Sequence, residues 1–237
     1  AGGGPAVNPI NRELDDEFKA IAATIGATDW RMRTDGIEQL VALLGSKTGA
    51  VRRSKHAVAS FDLLAQRIAD GNSKVSVCAL QAVPRVVDSL SDVVADSAAC
   101  NVIVTALCNS LASTNAAVRG ATEEAFAALQ GVADHATLLP PMANVAHFGS
   151  PRVRAPLVEL LAEMVASPKA TRAQLVKHVV PVAVRLLDEG KAEVKTANAK
   201  LLRALHAALG GALVDEATRL NGASYHKLRT VMPEAVQ

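Results

Sequence analysis

The chain has 237 residues, of which half are apolar but only 3% are aromatic. Its 25 lysines and arginines nearly balance its 23 aspartates and glutamates, and a net charge of +2 argues against a nucleic-acid partner. No charge-free apolar run reaches the roughly 18–20 residues that span a bilayer, so no membrane partner is expected. Ala, Val and Leu dominate, which favours closely packed helices over a sheet.

The chain reads as short amphipathic helices separated by small polar turns. Residues 1–10 predict a linker or a cloning remnant, and residues 11–237 predict one domain. Apolar residues at helical spacing predict ten helices, over 11–25, 29–44, 54–69, 73–90, 97–111, 116–132, 136–148, 151–165, 171–187 and 192–209. Two shorter helices, over 212–220 and 224–231, complete six pairs.

A repeated signature marks the start of four second helices. In each, a valine follows a tight polar turn, and the valines at 75, 118, 153 and 194 are 43, 35 and 41 residues apart. HEAT-type helix pairs repeat about every 40–47 residues, and each pair buries its apolar face by stacking on the next. The sequence therefore predicts an all-α solenoid of about six HEAT-type helix pairs.

The sequence offers no catalytic or metal-binding pattern, so we expect no enzyme activity, cofactor or metal. Cys78, Cys100 and Cys108 lie in apolar helical runs and are expected to be small buried residues in a reducing compartment. The histidines have no metal-ligand spacing. They are His56, His135, His147, His178, His206 and His226.

The turns within the repeats of a solenoid line up along one edge, so residues distant in sequence form one surface. Here that surface is basic, with a large aromatic at its end. Its predicted members are Trp30, Arg31, Asn72, Lys74, Val75, Asn115, Arg152, Arg154 and Lys195. Two alternatives remain open: Trp30 could plug the end of the solenoid, and Arg119, Arg154 and Lys195 could form ion pairs between repeats.

The stretch Asp29-Trp30-Arg31-Met32-Arg33, followed by residues 36–40 and by the turns at 72–75 and 115–119, resembles TOG domains. Residues 29–36, with Phe61-Asp62 and residues 67–75, most resemble the crescerin group. The resemblance implies a non-enzymatic paddle of six HEAT repeats that binds the α/β-tubulin heterodimer or the microtubule lattice through its intra-repeat loops. It also implies a monomeric domain within a multi-TOG chain, in the cytoplasm, the cytoskeleton and the cilium or flagellum.

Carried over residue by residue, the resemblance assigns Trp30 to β-tubulin, with Lys74, Val75 and Asn115 as further loop contacts. The basic positions toward α-tubulin are Arg152 or Arg154, and Lys195. The fourth and fifth turns, at 149–151 and 189–193, lack the usual aspartate or asparagine. The alternative is a HEAT scaffold for a non-tubulin partner, which predicts a buried Trp30, whereas the TOG interpretation predicts an exposed one.

Overall fold

The structure, a computed structural model, describes residues 9–94, 97–167 and 169–233. Within these ranges every regular element is helical, so the predicted all-α class is confirmed. The chain divides into two compact units that meet in sequence between Ala133 and Asp134. One domain over 11–237 stays a prediction, and residues 1–8 of the predicted linker lie outside the described residues.

The first unit contains three helix pairs and one extra short helix. Helices α1, α3 and α6 form one layer, while α2, α4 and α7 pack side by side in the other. The two helices of each pair, one from each layer, also pack on one another. One apolar core therefore runs between the two layers. The helices are α1 (Pro9–Ile25), α2 (Trp30–Arg52), α3 (His56–Ile68), α4 (Ser73–Ser89), α5 (Ser91–Val94), α6 (Ser97–Ser110) and α7 (Ala116–Val132).

The second unit also stacks its helices in pairs. Its pairs are α8 with α9, α11 with α12, and α13 with α14. Neighbouring pairs are joined by contacts of α9 with α12 and of α8 with α11. Its elements are α8 (His135–Phe148), α9 (Pro151–Ala166), α10 (Arg172–Gln174), a π-helical turn (Leu175–Val179), α11 (Val180–Arg185), a 3-10 turn (Leu186–Asp188), α12 (Ala192–Leu209), α13 (Ala212–Leu220) and α14 (Ser224–Val231). The predicted architecture of HEAT-type helix pairs is confirmed.

The predicted helix over 171–187 is divided into α10, the π-helical turn, α11 and the 3-10 turn, and the other main differences from the prediction are at the start of α1 and the end of α2. Helix α1 begins at Pro9, two residues inside the predicted linker, and α2 continues to Arg52 instead of ending near residue 44. The extension follows a break at Lys47, whose backbone is not helical (φ −123°, ψ 27°). The Lys47 ammonium lies 2.6 Å from Glu17 and 3.3 Å from Glu13 of α1, and these ion pairs hold the broken segment against α1.

The four signature valines lie in the core, three residues after the N-cap of their helix. Val75 and Val194 are fully buried, and Val118 and Val153 are each 5% exposed. Such a valine closes the apolar face of the first helical turn against the preceding helix. The repeated valines therefore serve the packing of the core. A partner surface must be formed by the polar residues next to them in the turns.

Gly36 marks the closest approach of α1 and α2. A Cβ at this position would lie 2.6 Å from the Ile25 backbone nitrogen and 2.8 Å from Ile25 Cγ1. Only glycine allows the two helices to cross this closely without a shift of the backbone. The start of α2 is thereby fixed against the end of α1.

The cysteines pack in the first unit. Cys100 and Cys108 are buried and Cys78 is half-buried, as expected for small apolar residues. Burial raises the pKa of Cys78 to about 11, so its thiol stays protonated at neutral pH. No helix in the described ranges is both long and apolar enough to cross a bilayer.

Candidate functional site

The second helices of the first unit begin with one repeated capping geometry. In each, an Asp or Asn side chain at the N-cap accepts a hydrogen bond from the backbone N–H two residues later, which satisfies an otherwise unpaired donor. The bonds are Arg31 N to Asp29 Oδ1 (2.7 Å), Lys74 N to Asn72 Oδ1 (2.9 Å) and Ala117 N to Asn115 Oδ1 (2.9 Å).

The three capped turns lie side by side. Helices α2, α4 and α7 are neighbours in one layer, and the Lys74 ammonium lies 4.8 Å from the centre of the Trp30 ring. The second and third turns share a groove of about 480 Å³, lined by Asp70, Ser113 and Asn115 among others. We call the surface formed by Trp30, Arg31, Asn72, Lys74 and Asn115 the first-unit edge.

Trp30, Arg31 and Lys74 form a tryptophan cluster at one end of this edge. The Arg31 guanidinium carbon and the Lys74 nitrogen each lie 4.8 Å from the centre of the indole ring, within the range of a cation–π contact. Both cations are exposed, whereas Trp30 is half-buried. Trp30 is therefore neither the exposed residue of the TOG interpretation nor the buried plug of the scaffold interpretation.

The cations of the tryptophan cluster occupy unfavourable positions for helix stability. Arg31 and Lys74 each lie two residues after an N-cap, at the positive end of a helix dipole, where a cation is destabilising. Neither α2 nor α4 has an acidic residue in its first turn, and only α2 has an acidic N-cap, Asp29, which offsets part of the cost for Arg31. An arrangement that opposes stability on an accessible edge indicates a functional role.

In each unit, a half-buried arginine four residues after an N-cap links two neighbouring turns. Arg33 Nε lies 3.0 Å from Asp70 Oδ2, and the Arg33 guanidinium also donates to the backbone oxygens of Ala27 and Thr28. In the second unit, Arg154 Nη1 lies 2.9 Å from Glu189 Oε2, and both side chains are about 15% exposed (16% and 15%).

The structure corrects two predicted partner contacts. Arg154 lies four residues after its N-cap, a place that we call the ladder position, and its guanidinium pairs with Glu189. Arg154 therefore joins the fourth and fifth turns instead of facing a partner. Val75 is fully buried, so its side chain belongs to the core. Arg119 is also at the ladder position, but it is exposed and donates to the Ser113 carbonyl oxygen (2.7 Å).

The second unit caps its second helices differently. Ser150 and Lys191 occupy the N-caps of α9 and α12, and neither makes a side-chain capping bond. Instead, Glu189 Oε1 accepts from the backbone nitrogens of Gly190 (2.8 Å) and Lys191 (3.4 Å). These two bonds and Arg154 lower the pKa of Glu189 below its ordinary value.

Arg152 and Lys195 are both exposed in the second unit. Neither forms an ion pair with any residue in the described part of the chain. They therefore stay available to a partner, as predicted, although Lys195 occupies the ladder position of its helix.

Sequence reasoning missed two exposed apolar residues next to turns. Met32 is 51% exposed at the position where the other repeats place a buried valine. Phe148 is 71% exposed, whereas Phe18, Phe61 and Phe126 are buried. The signal for Phe148 was its position directly before the Gly149-Ser150-Pro151 turn, where the last residue of a helix has no neighbour to pack against.

No protein-family model matches the chain. The chain is 28% identical over 216 residues to TOG array regulator of axonemal microtubules protein 1 of Homo sapiens. It is 27% identical over 220 residues to the protein of that name from Mus musculus. Each alignment takes in 86% of this chain, and the chain spans only 12% of the length of these curated relatives.

Solved TOG domains share the fold. The TOG domain of C. elegans Zyg9 superposes with a TM-score of 0.72 at 12% identity, over 99% of this chain and 88% of that one. A structure of crescerin, which uses a TOG domain array to regulate microtubules in the primary cilium, superposes with a TM-score of 0.69 at 18% identity, over 92% of both chains. The chain thus has the fold of a TOG domain, and its resemblance to TOG domains of the crescerin group is confirmed.

Proposed function

We propose that this chain is a non-enzymatic tubulin-binding domain of a larger microtubule-regulating protein of the cilium or flagellum. It binds the α/β-tubulin heterodimer or the microtubule lattice through the turns within its repeats. As one domain of a multi-TOG chain, it contributes one binding event to a linked array.

The observation that carries this proposal is the tryptophan cluster. A half-buried indole flanked by two exposed cations offers a partner both apolar area and positive charge, and tryptophan and arginine are enriched at binding hot spots. Both cations are exposed at helix N-termini, where the dipole is unfavourable, so they stay accessible to a partner although their contacts with the indole offset part of that cost. An apolar pocket with an acidic rim is the partner surface that fits this cluster.

Other polar and basic residues of the predicted partner surface also favour a basic docking surface. Asn72 and Asn115 use their side-chain oxygens for capping, which leaves their amide N–H groups able to donate to a partner. In the second unit, Arg152 and Lys195 are exposed cations. Such charges chiefly raise the association rate and set the orientation of the complex.

The proposal is tested by gel filtration with purified tubulin dimer and by co-pelleting with microtubules. We expect the wild-type domain to bind in at least one assay, and Trp30→Ala to weaken that binding about thirtyfold, the effect of losing a hot spot of about 2 kcal/mol. Since Trp30 is half-buried, the exposed Lys74→Glu provides a second variant that leaves the core intact.

The matched control is Val102→Ala, which removes an exposed apolar side chain of α6 that no contact joins to the tryptophan cluster. It should bind tubulin like the wild type. If the wild-type domain binds neither tubulin nor microtubules, the HEAT scaffold for another partner becomes the better interpretation. The same holds if Trp30→Ala and Lys74→Glu bind unchanged.

A further inference from the structure

We propose that Phe148 and Arg185 form a second tubulin-binding site, in the second unit. The Phe148 ring enters an apolar pocket of tubulin, and Arg185 pairs with a carboxylate at the rim of that pocket. This inference rests on the proposed function and adds a second anchor to it. Neither residue belongs to the predicted partner surface.

Phe148 is the most exposed large apolar residue in the described part of the chain, at 71%. It ends α8, and its ring lies 4.4 Å from that of His147, centre to centre. The Arg185 guanidinium carbon, at the end of α11, lies 6.0 Å from the centre of the Phe148 ring. One exposed phenylalanine needs no special explanation, but this ring lies beside an exposed arginine, and Leu220 of the same unit is a second exposed apolar residue.

A groove of about 580 Å³ opens beside Phe148. Its walls include His147, Arg185 and Leu220, and Leu220 is itself 44% exposed. The exposed apolar side chains of Phe148 and Leu220 thus lie on either side of the Arg185 cation in the second unit. Clustered exposed apolar residues around a charge are typical of a protein-binding surface.

The charge of Arg185 is not neutralised within the described residues. Both carboxylates of the groove have another cation, because Asp188 pairs with Lys227 and Glu189 pairs with Arg154. Arg185 Nη1 instead donates to His147 Nε2 (3.0 Å), and a neutral imidazole leaves the positive charge in place. An incoming carboxylate would therefore meet an arginine that is already oriented and lacks a counter-ion.

The occupant that fits is an acidic protein surface with an apolar pocket. A second copy of this chain fits poorly, since a symmetric contact would bring the Arg185 side chains of both copies together, and like charges in an interface are destabilising. On the proposed function that acidic surface belongs to tubulin, so both anchors engage the same partner.

The test measures tubulin affinity and thermal midpoint for Phe148→Ala, Arg185→Gln and the double variant. We expect Phe148→Ala to raise the Kd about tenfold or more with an unchanged midpoint, because the ring is exposed. Arg185→Gln should raise the Kd less and reduce its salt dependence. The two effects should be non-additive, because ring and guanidinium are in contact.

Tyr225→Ala is the matched control, since Tyr225 is an aromatic residue of the same unit, 37% exposed and outside the groove. Wild-type affinity of Phe148→Ala, in a protein whose wild type binds tubulin, overturns this inference and leaves the proposed function standing. Absence of tubulin binding by the wild type defeats both. A Phe148-dependent dimer in light scattering, with unchanged tubulin affinity, assigns the surface to a second copy and also overturns the inference.

Discussion

The two units place an aromatic–cation pair at opposite ends of their helices. In the first unit, Trp30 and its cations lie at the N-terminal ends of second helices, where positive charge is unfavourable. In the second unit, Phe148 and Arg185 lie at the C-terminal ends of first helices, where positive charge is favourable. Similar surface chemistry thus opposes helix stability in one unit and is compatible with it in the other.

The units also differ in what holds their turns. The first unit relies on Asx caps together with Asp70, which accepts from Arg33, Arg67 and the backbone nitrogen of Asn72. The second unit lacks side-chain caps at Ser150 and Lys191. Its two turns depend on Glu189, which accepts hydrogen bonds from Gly190 and Lys191 within its own turn and pairs with Arg154.

The largest expected effect comes from removing the carboxylate that organises the first-unit edge. The Asp70 side chain is 7% exposed, and its loss leaves the half-buried Arg33 guanidinium without a counter-ion, so Asp70→Ala should lower the free energy of unfolding by about 3 kcal/mol. Glu189→Ala in the second unit should lower the free energy of unfolding by less, because Glu189 is more exposed (15%) and pairs with one arginine where Asp70 pairs with two. Urea unfolding of both variants gives the comparison, and an equal or reversed ranking would contradict it.

A smaller effect is expected from pH. Hydrogen bonds from Gly190, Lys191 and Arg154 lower the pKa of Glu189 in the folded state, so its contribution to stability is fully present above the ordinary pKa of a glutamate. It is lost as the pH falls through the lower, folded value. Glu189→Gln should therefore flatten the decline of the thermal midpoint in that acid range, and a profile parallel to wild type would exclude this role.

The smallest expected effect has opposite signs in the two units. Charges at a helix terminus contribute about 0.3–1 kcal/mol. Lys74→Glu at the start of α4 should thus melt slightly above Lys74→Gln, whereas Arg185→Glu at the end of α11 should melt slightly below Arg185→Gln. Scanning calorimetry measures both shifts, and the glutamine variants are the references because they lose the same cation–π contacts. Shifts of the same sign would remove the electrostatic distinction between the units.

Periodicity predicted the helices well, because packing a solenoid requires apolar residues at helical spacing. The bounds of α7 and α12 agree with the prediction, and the break at Lys47 was missed because it depends on Glu13 and Glu17 in another helix. The polar turns before α4 and α7 were predicted, but the caps at Asp29, Asn72 and Asn115 within them were not, although capping uses neighbours in sequence.

The site was harder to predict, because exposure depends on tertiary neighbours. Val75 and Lys74 are adjacent in sequence, yet one is fully buried and the other exposed. Arg152 and Arg154 differ in the same way, since only Arg154 has Glu189 within reach. Spacing from the N-cap separates them: two residues later the side chain is exposed in α2, α4 and α9, and three residues later the valines are buried.

The glycine at position 36 makes the location of the tryptophan cluster a property of the backbone. Because no side chain fits between this residue and Ile25, the first turn of α2 has one position relative to α1. A partner would then meet an indole that is already in place, and little ordering entropy would be lost on binding. Gly36→Ala would shift the first turn of α2 and with it the Trp30 ring, while the ring itself stays unchanged. This substitution therefore separates the contribution of the position of Trp30 from that of its side chain.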